Sequence, residues 1–221
     1  HLPAQTEATG SLPPWVVDLP ASRPSERQVD LPASRPSERL AVILSGDGGW
    51  RDLDKTIAEQ LQARGVDVLG WDSLRYFWTA RTPEQLASDL DALLRPRLAG
   101  HAGTQVLLVG YSFGADVLPF AWNRMADDTR SRVRQLSLLG VSDSADFEFH
   151  VTGWLGATTA DAPPTAPELA RIPAPLLQCF YGEDDEDSVC PALAERGAEV
   201  IRTSGSHHFD GDYAALAERI L

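Results

Sequence analysis

The stretch Gln105-Val106-Leu107-Leu108-Val109-Gly110-Tyr111-Ser112-Phe113-Gly114-Ala115-Asp116 decides the reading of this chain. Its opening run is apolar on both alternations, as expected of a strand covered on both faces. Gly110-Tyr111-Ser112-Phe113-Gly114 is a Gly-x-Ser-x-Gly turn, and the residues from Ser112 to about Met125 continue as a helix. Two glycines permit a sharp turn with a serine at its tip. The following helix aims its N-terminus at that serine, where its dipole favours a developing negative charge. The bare pattern arises often by chance. The strand before it and the helix after it make Ser112 a candidate nucleophile rather than an ordinary turn residue.

Working outward, apolar runs alternate with helical periodicity. Strands are expected over Leu40 to Leu44, Val66 to Trp71, Gln105 to Gly110, Val133 to Leu139, Leu176 to Tyr181 and Ala198 to Thr203. Helices are expected over Leu53 to Arg64, from Pro83 onward behind the cap Thr82, near Pro191 to Arg196, and over Gly211 to Leu221. This alternation calls for a mostly parallel central sheet with helices on both faces. With the elbow, it is an α/β-hydrolase fold. The irregular stretch from Ser142 to Pro175, with Phe147, Phe149, His150 and Trp154, reads as a minimal cap or a wall of the pocket.

A serine nucleophile needs a base, and the base needs an orienting acid; in this fold they follow in the order Ser, acid, His. His150 precedes the last two strands. Gly205-Ser206-His207-His208-Phe209 directly follows the last strand, so His207 is the favoured base and His208 the alternative. Gly182-Glu183-Asp184-Asp185-Glu186-Asp187 follows the preceding strand and supplies the acid. Asp187 is favoured for its Asp-x-x-x-Pro context, with Asp185 as the alternate. An oxyanion hole is expected from the backbone N–H of Phe113 and of Asp47 or Gly48, in the glycine-rich turn Ser45-Gly46-Asp47-Gly48-Gly49-Trp50. Neither a dinucleotide fingerprint nor a Walker pattern is present, so neither cofactor nor metal is expected.

The formal charge is −13, with a sequence pI near 4.7. No basic face is available to displace counterions from phosphate, which argues against nucleic acid as a partner. The segment of residues 17–27 recurs identically at residues 29–39. Residues 1–39 are therefore expected to be a flexible leader with one copy able to act as an edge strand, ahead of a catalytic domain over residues 40–221. Cys179 and Cys190 are close in sequence, and a bridge between them would contribute about 3 kcal/mol in the chain-entropy model. A bridge points to an oxidising compartment.

These motifs, with Asp72-Ser73-Leu74-Arg75-Tyr76-Phe77-Trp78, Asp187-Ser188-Val189-Cys190 and His207-His208-Phe209-Asp210-Gly211-Asp212-Tyr213, resemble the bacterial virulence protein family of VirJ and AcvB from Leu40 to Leu221. The resemblance implies a periplasmic enzyme, its signal peptide removed, that hydrolyses the aminoacyl ester of aminoacyl-phosphatidylglycerol. It also implies transient contact with a membrane surface and a link to secretion-system components. On that substrate, Asp47, Asp72 or Asp116 would receive the ammonium group and Arg75 the lipid phosphate. A soluble carboxylesterase or thioesterase, or a non-enzymatic accessory protein of secretion, are the competing expectations.

Overall fold

In the computed structural model, which describes residues 11–22, 38–150 and 161–221, the strands form one seven-stranded sheet. They are β1 (Val16–Leu19), β2 (Arg39–Leu44), β3 (Asp67–Trp71), β4 (Gln105–Tyr111), β5 (Val133–Leu139), β6 (Leu177–Gly182) and β7 (Glu199–Thr203). Their spatial order is β1-β3-β2-β4-β5-β6-β7. Only β1 runs antiparallel to its neighbour. The helices are α1 (Asp52–Ala63), α2 (Ser73–Tyr76), α3 (Pro83–Leu98), α4 (Phe113–Trp122), α5 (Asp127–Arg130), α6 (Ala166–Ala170), α7 (Cys190–Ala194) and α8 (Tyr213–Ile220).

The apolar runs are continuous because both faces of the sheet are covered. Leu40, Val42 and Leu44 of β2 point into one layer, where α3 and α4 bring Leu86, Leu90, Val117 and Leu118. Ala41 and Ile43 point into the other, where α1 and α8 bring Ile57, Leu61, Leu216 and Ile220. The start of α3 is set as the sequence predicts. Thr82 Oγ1 accepts the Gln85 N–H at 3.1 Å, and Gln85 Oε1 accepts the Thr82 N–H at 2.9 Å. The last helix begins later than expected, at Tyr213, because Phe209–Gly211 form a separate tight turn before the cap Asp212.

Strand β1 overlaps the start of the first repeat copy, and that copy is tied to the domain by side chains as well. The Ala21 N–H donates to Asp67 at 2.9 Å, and Arg97 pairs with Asp18 at 2.6 Å. The second copy lies outside the described residues except for Glu38 and Arg39, the latter opening β2. Cys179 in β6 and Cys190 at the start of α7 are bridged, their Cα atoms 5.5 Å apart.

After β2 the chain passes through α1 to β3 on one side, then crosses through α3 to β4 on the other. The carboxyl ends of β2 and β4 are therefore adjacent at a switch point, where open α/β sheets form their crevice. The turn Ser45 to Trp50 and the elbow at Ser112 emerge there together.

Candidate active site

Ser112 joins β4 to α4 with φ 51° and ψ −116°. A positive φ costs a non-glycine residue about 1–3 kcal/mol, so the surroundings must impose it. The Ser112 N–H donates to the Leu139 carbonyl at 2.8 Å, and the Ser112 carbonyl accepts the Asp116 N–H at 3.0 Å. A Cβ on Gly114 would lie 2.3 Å from the Leu44 carbonyl oxygen, so only glycine lets α4 seat against the end of β2.

His207 comes from the loop after β7, anchored in the core by the buried ring of Phe209. Its Nε2 lies 2.8 Å from Ser112 Oγ. The imidazole rests against Gly140, where a Cβ would meet Cε1 at 2.8 Å and Nδ1 at 2.9 Å. Burial pushes the His207 pKa below its ordinary value, while the charge of Asp185 pulls it back up. The ring is thus neutral near neutral pH and free to accept a proton from Ser112. His208 is turned elsewhere: its Nδ1 lies 2.9 Å from the Tyr111 hydroxyl.

The acidic loop after β6 is stitched to the histidine loop. The Glu183 N–H donates to the Thr203 carbonyl at 2.8 Å, and the Asp184 N–H to the Gly205 carbonyl at 2.9 Å. A turn then brings the Asp185 N–H to the Gly182 carbonyl at 3.0 Å, which holds Asp185 half-buried and leaves Asp187 exposed. Asp185 is the carboxylate of this loop whose charge acts on His207. Asp187, the acid favoured in the sequence, is exposed, whereas the alternate Asp185 is the one whose charge reaches the ring. No carboxylate among the described residues hydrogen-bonds His207, so Asp185 acts on the ring through charge.

The expected oxyanion donors are near the serine. Phe113 opens α4, where its N–H has no intrahelical acceptor. The turn after β2 is closed by the Gly49 N–H donating to the Gly46 carbonyl at 3.1 Å. It passes so close to the elbow that a Cβ on Gly46 would lie 3.6 Å from Ser112 Cβ. Asp47 and Gly48, the next residues of that turn, line the mouth of the site.

A cavity of about 300 Å³ opens beside Ser112 and His207, its wall including Asp47, Arg51, Asp54, Tyr111 and Tyr213. Of the four side chains expected to contact substrate, only Asp47 lines it. Asp116 instead accepts the Ser142 N–H at 2.6 Å and braces the loop after β5 against α4. Burial pushes its pKa well above the usual carboxylate value. Asp72 accepts the Arg75 N–H at 3.1 Å and caps α2. The Arg75 side chain pairs with Asp72 at 3.6 Å and donates to the Pro14 carbonyl at 3.3 Å. Asp72 and Asp116 thus accept backbone N–H groups of the fold, while the Arg75 side chain stays largely exposed. None of the described residues between Ser142 and Pro175 lines the cavity either. Phe147 packs instead on Phe77 and Phe120, at ring-centroid distances of 6.0 and 5.3 Å, and Trp154 lies outside the described residues.

Sequence reading missed Asp54, the one buried acid in the cavity wall. As a first-turn acid it resembled a solvated helix start. The signal was its register: Asp54, Ile57, Ala58 and Leu61 follow the spacing of a buried helical stripe.

The sheet, the elbow and the histidine loop define an α/β-hydrolase fold with a serine–histidine pair at the carboxyl edge of its strands. Solved structures share this architecture. Est1E from Butyrivibrio proteoclasticus matches with a TM-score of 0.58 at 15% identity, over 82% of this chain and 85% of its own. The Pyrococcus furiosus esterase Pf2001 gives 0.58 at 13% identity, over 84% of this chain and 80% of its own. An α/β serine hydrolase without lid from Xanthomonas campestris gives 0.50 at 18% identity, over 93% and 84%. At these identities the likeness establishes the fold alone. The sequence pattern of the bacterial virulence protein (VirJ) family matches residues 38–221, and the chain belongs to that family. Among curated proteins none matches the chain significantly in sequence.

Proposed function

We propose that this protein is a serine ester hydrolase that cleaves the aminoacyl ester of aminoacyl-phosphatidylglycerol. The observation that carries the proposal is the 2.8 Å contact between His207 Nε2 and Ser112 Oγ on a strained elbow. Ser112 Oγ attacks the ester carbonyl carbon while His207 Nε2 takes its proton. The oxyanion is met by the N–H groups of Phe113 and of Asp47 or Gly48. The carbon–oxygen bond to phosphatidylglycerol then breaks, and His207 returns the proton to the departing alcohol. Water, deprotonated by the same ring, attacks the acyl-enzyme and releases the amino acid. Asp185 favours the imidazolium that forms in each half-reaction.

Family membership supports the lipid substrate, and the acid-rich cavity wall is compatible with an ester bearing a cation. The Cys179–Cys190 bridge fits residence in an oxidising compartment such as the periplasm. The enzyme would meet its lipid by transient contact with the bilayer surface; among the described residues no helix is long and apolar enough to cross a membrane. The test is release of labelled amino acid from purified aminoacyl-phosphatidylglycerol in mixed micelles. Release by the wild type and loss of at least about a thousandfold in Ser112→Ala are expected. Cleavage of simple esters without cleavage of the lipid would replace this reading by that of a plain carboxylesterase.

A further inference from the structure

The cavity beside Ser112 is walled by three carboxylates, Asp47, Asp52 and Asp54, against one guanidinium, Arg51. Arg51 is exposed, and its Nε donates to the Gly48 carbonyl at 2.8 Å. Asp47 and Asp52 are also exposed, so water satisfies them. Asp54 differs. Its residue is 1% exposed. Its Oδ2 accepts the Arg51 N–H at 3.2 Å, while its Oδ1 is buried without any hydrogen-bond partner. An unpartnered carboxylate oxygen away from water is costly, and a buried acid normally has a cation or several donors. None of the Asp54 hydrogen bonds described above comes from a cation. The charge of Asp54 reaches Tyr111, which immediately precedes Ser112.

We infer that Asp54 is the specificity carboxylate of the site, receiving a primary ammonium carried by the acyl group of the ester. The inference rests on the ester-hydrolase reading above and adds to it the residue that reads the substrate's charge. A bound ammonium supplies the donor that Oδ1 lacks and neutralises the acid in place. The bound cation also explains a buried acid held in the wall of an active-site cavity, where an apolar residue would suit the helix better. Burial holds the Asp54 carboxyl at a pKa of about 7, and a cation against it would draw that value down.

The ammonium has two possible origins, the α-amine and a side-chain amine. Both are tested with small soluble esters: alanine ethyl ester, N-acetylalanine ethyl ester, and Nα-acetyllysine ethyl ester, whose only amine is on the side chain. A charge-assisted hydrogen bond implies that wild type prefers at least one ammonium ester over the neutral one by about tenfold to a hundredfold in kcat/KM. Whichever ester is preferred identifies the amine. Asp54→Asn should erase that preference mainly through KM, whereas Asp52→Asn should retain most of it. Equal hydrolysis of all three esters by wild type, or a preference that survives Asp54→Asn, overturns the inference and leaves the hydrolase reading standing. Failure of every ester and of the lipid removes that reading itself. If Asp54→Asn does not fold, butylammonium serves as the probe. It should inhibit neutral-ester hydrolysis competitively in wild type and in Asp52→Asn, and n-butanol at the same concentration should not. Absence of that difference also overturns the inference.

Discussion

Two aspartates two residues apart separate the sequence reading from the structural one. Asp187 has the better sequence context, but Asp185 is half-buried and its charge reaches His207. Asp185→Asn should therefore reduce kcat by at least about a hundredfold and Asp187→Asn by less than about threefold, read by steady-state kinetics on a soluble ester. The opposite order would restore Asp187 to the role. A carboxylate whose charge stabilises the imidazolium matters most in the transition state, so the Asp185 loss should appear in kcat more than in KM.

At the scale of the element, α1 carries a conflict between stability and function. Its buried stripe contains Asp54 among Ile57, Ala58 and Leu61. Burial raises the Asp54 pKa from 3.8 to about 7, with a further push from the charge of Asp72. Between those values the unfolded chain is ionised while the native state keeps its proton. Native stability is thus lost as pH rises through this window, and the loss is complete above it. Replacing Asp54 by Asn removes that loss, and the amide oxygen can still accept the Arg51 N–H. The gain in unfolding free energy of Asp54→Asn over wild type, from urea titrations, should grow by roughly 3 kcal/mol between about pH 5 and about pH 8. A pH-independent difference would mean that Asp54 is ionised in the native state. A second element-scale device is the bridge from β6 to α7, which closes the loop bearing Asp185. Replacing both Cys179 and Cys190 by alanine should cost about 3 kcal/mol of stability, measured the same way. It should also lower activity, because the acid loop loses a covalent anchor.

For the whole molecule, the sheet was legible because six parallel strands must be apolar on both faces, and that pattern survives in sequence. The elbow was legible because its glycines and serine answer a local steric demand. The histidine was legible from its place after the last strand. The short helices α2, α5 and α6 escaped because four or five residues show no helical period. The hydrogen-bond partners of Asp72, Arg75 and Asp116 escaped because they lie far along the chain or depend on turn geometry. Pro14 binds Arg75, and Ser142 binds Asp116. Asp54 escaped because an acid in a first helical turn is ordinarily solvated, and only the burial of its stripe makes it unusual.

If His207 activates Ser112 as the nucleophile, a fluorophosphonate should react with the pair, and intact-mass spectrometry reads the product. One adduct per chain is expected, mapping to Ser112, abolished in Ser112→Ala and strongly slowed in His207→Ala. Labelling that persists in Ser112→Ala, or no labelling of the folded wild type, would contradict it.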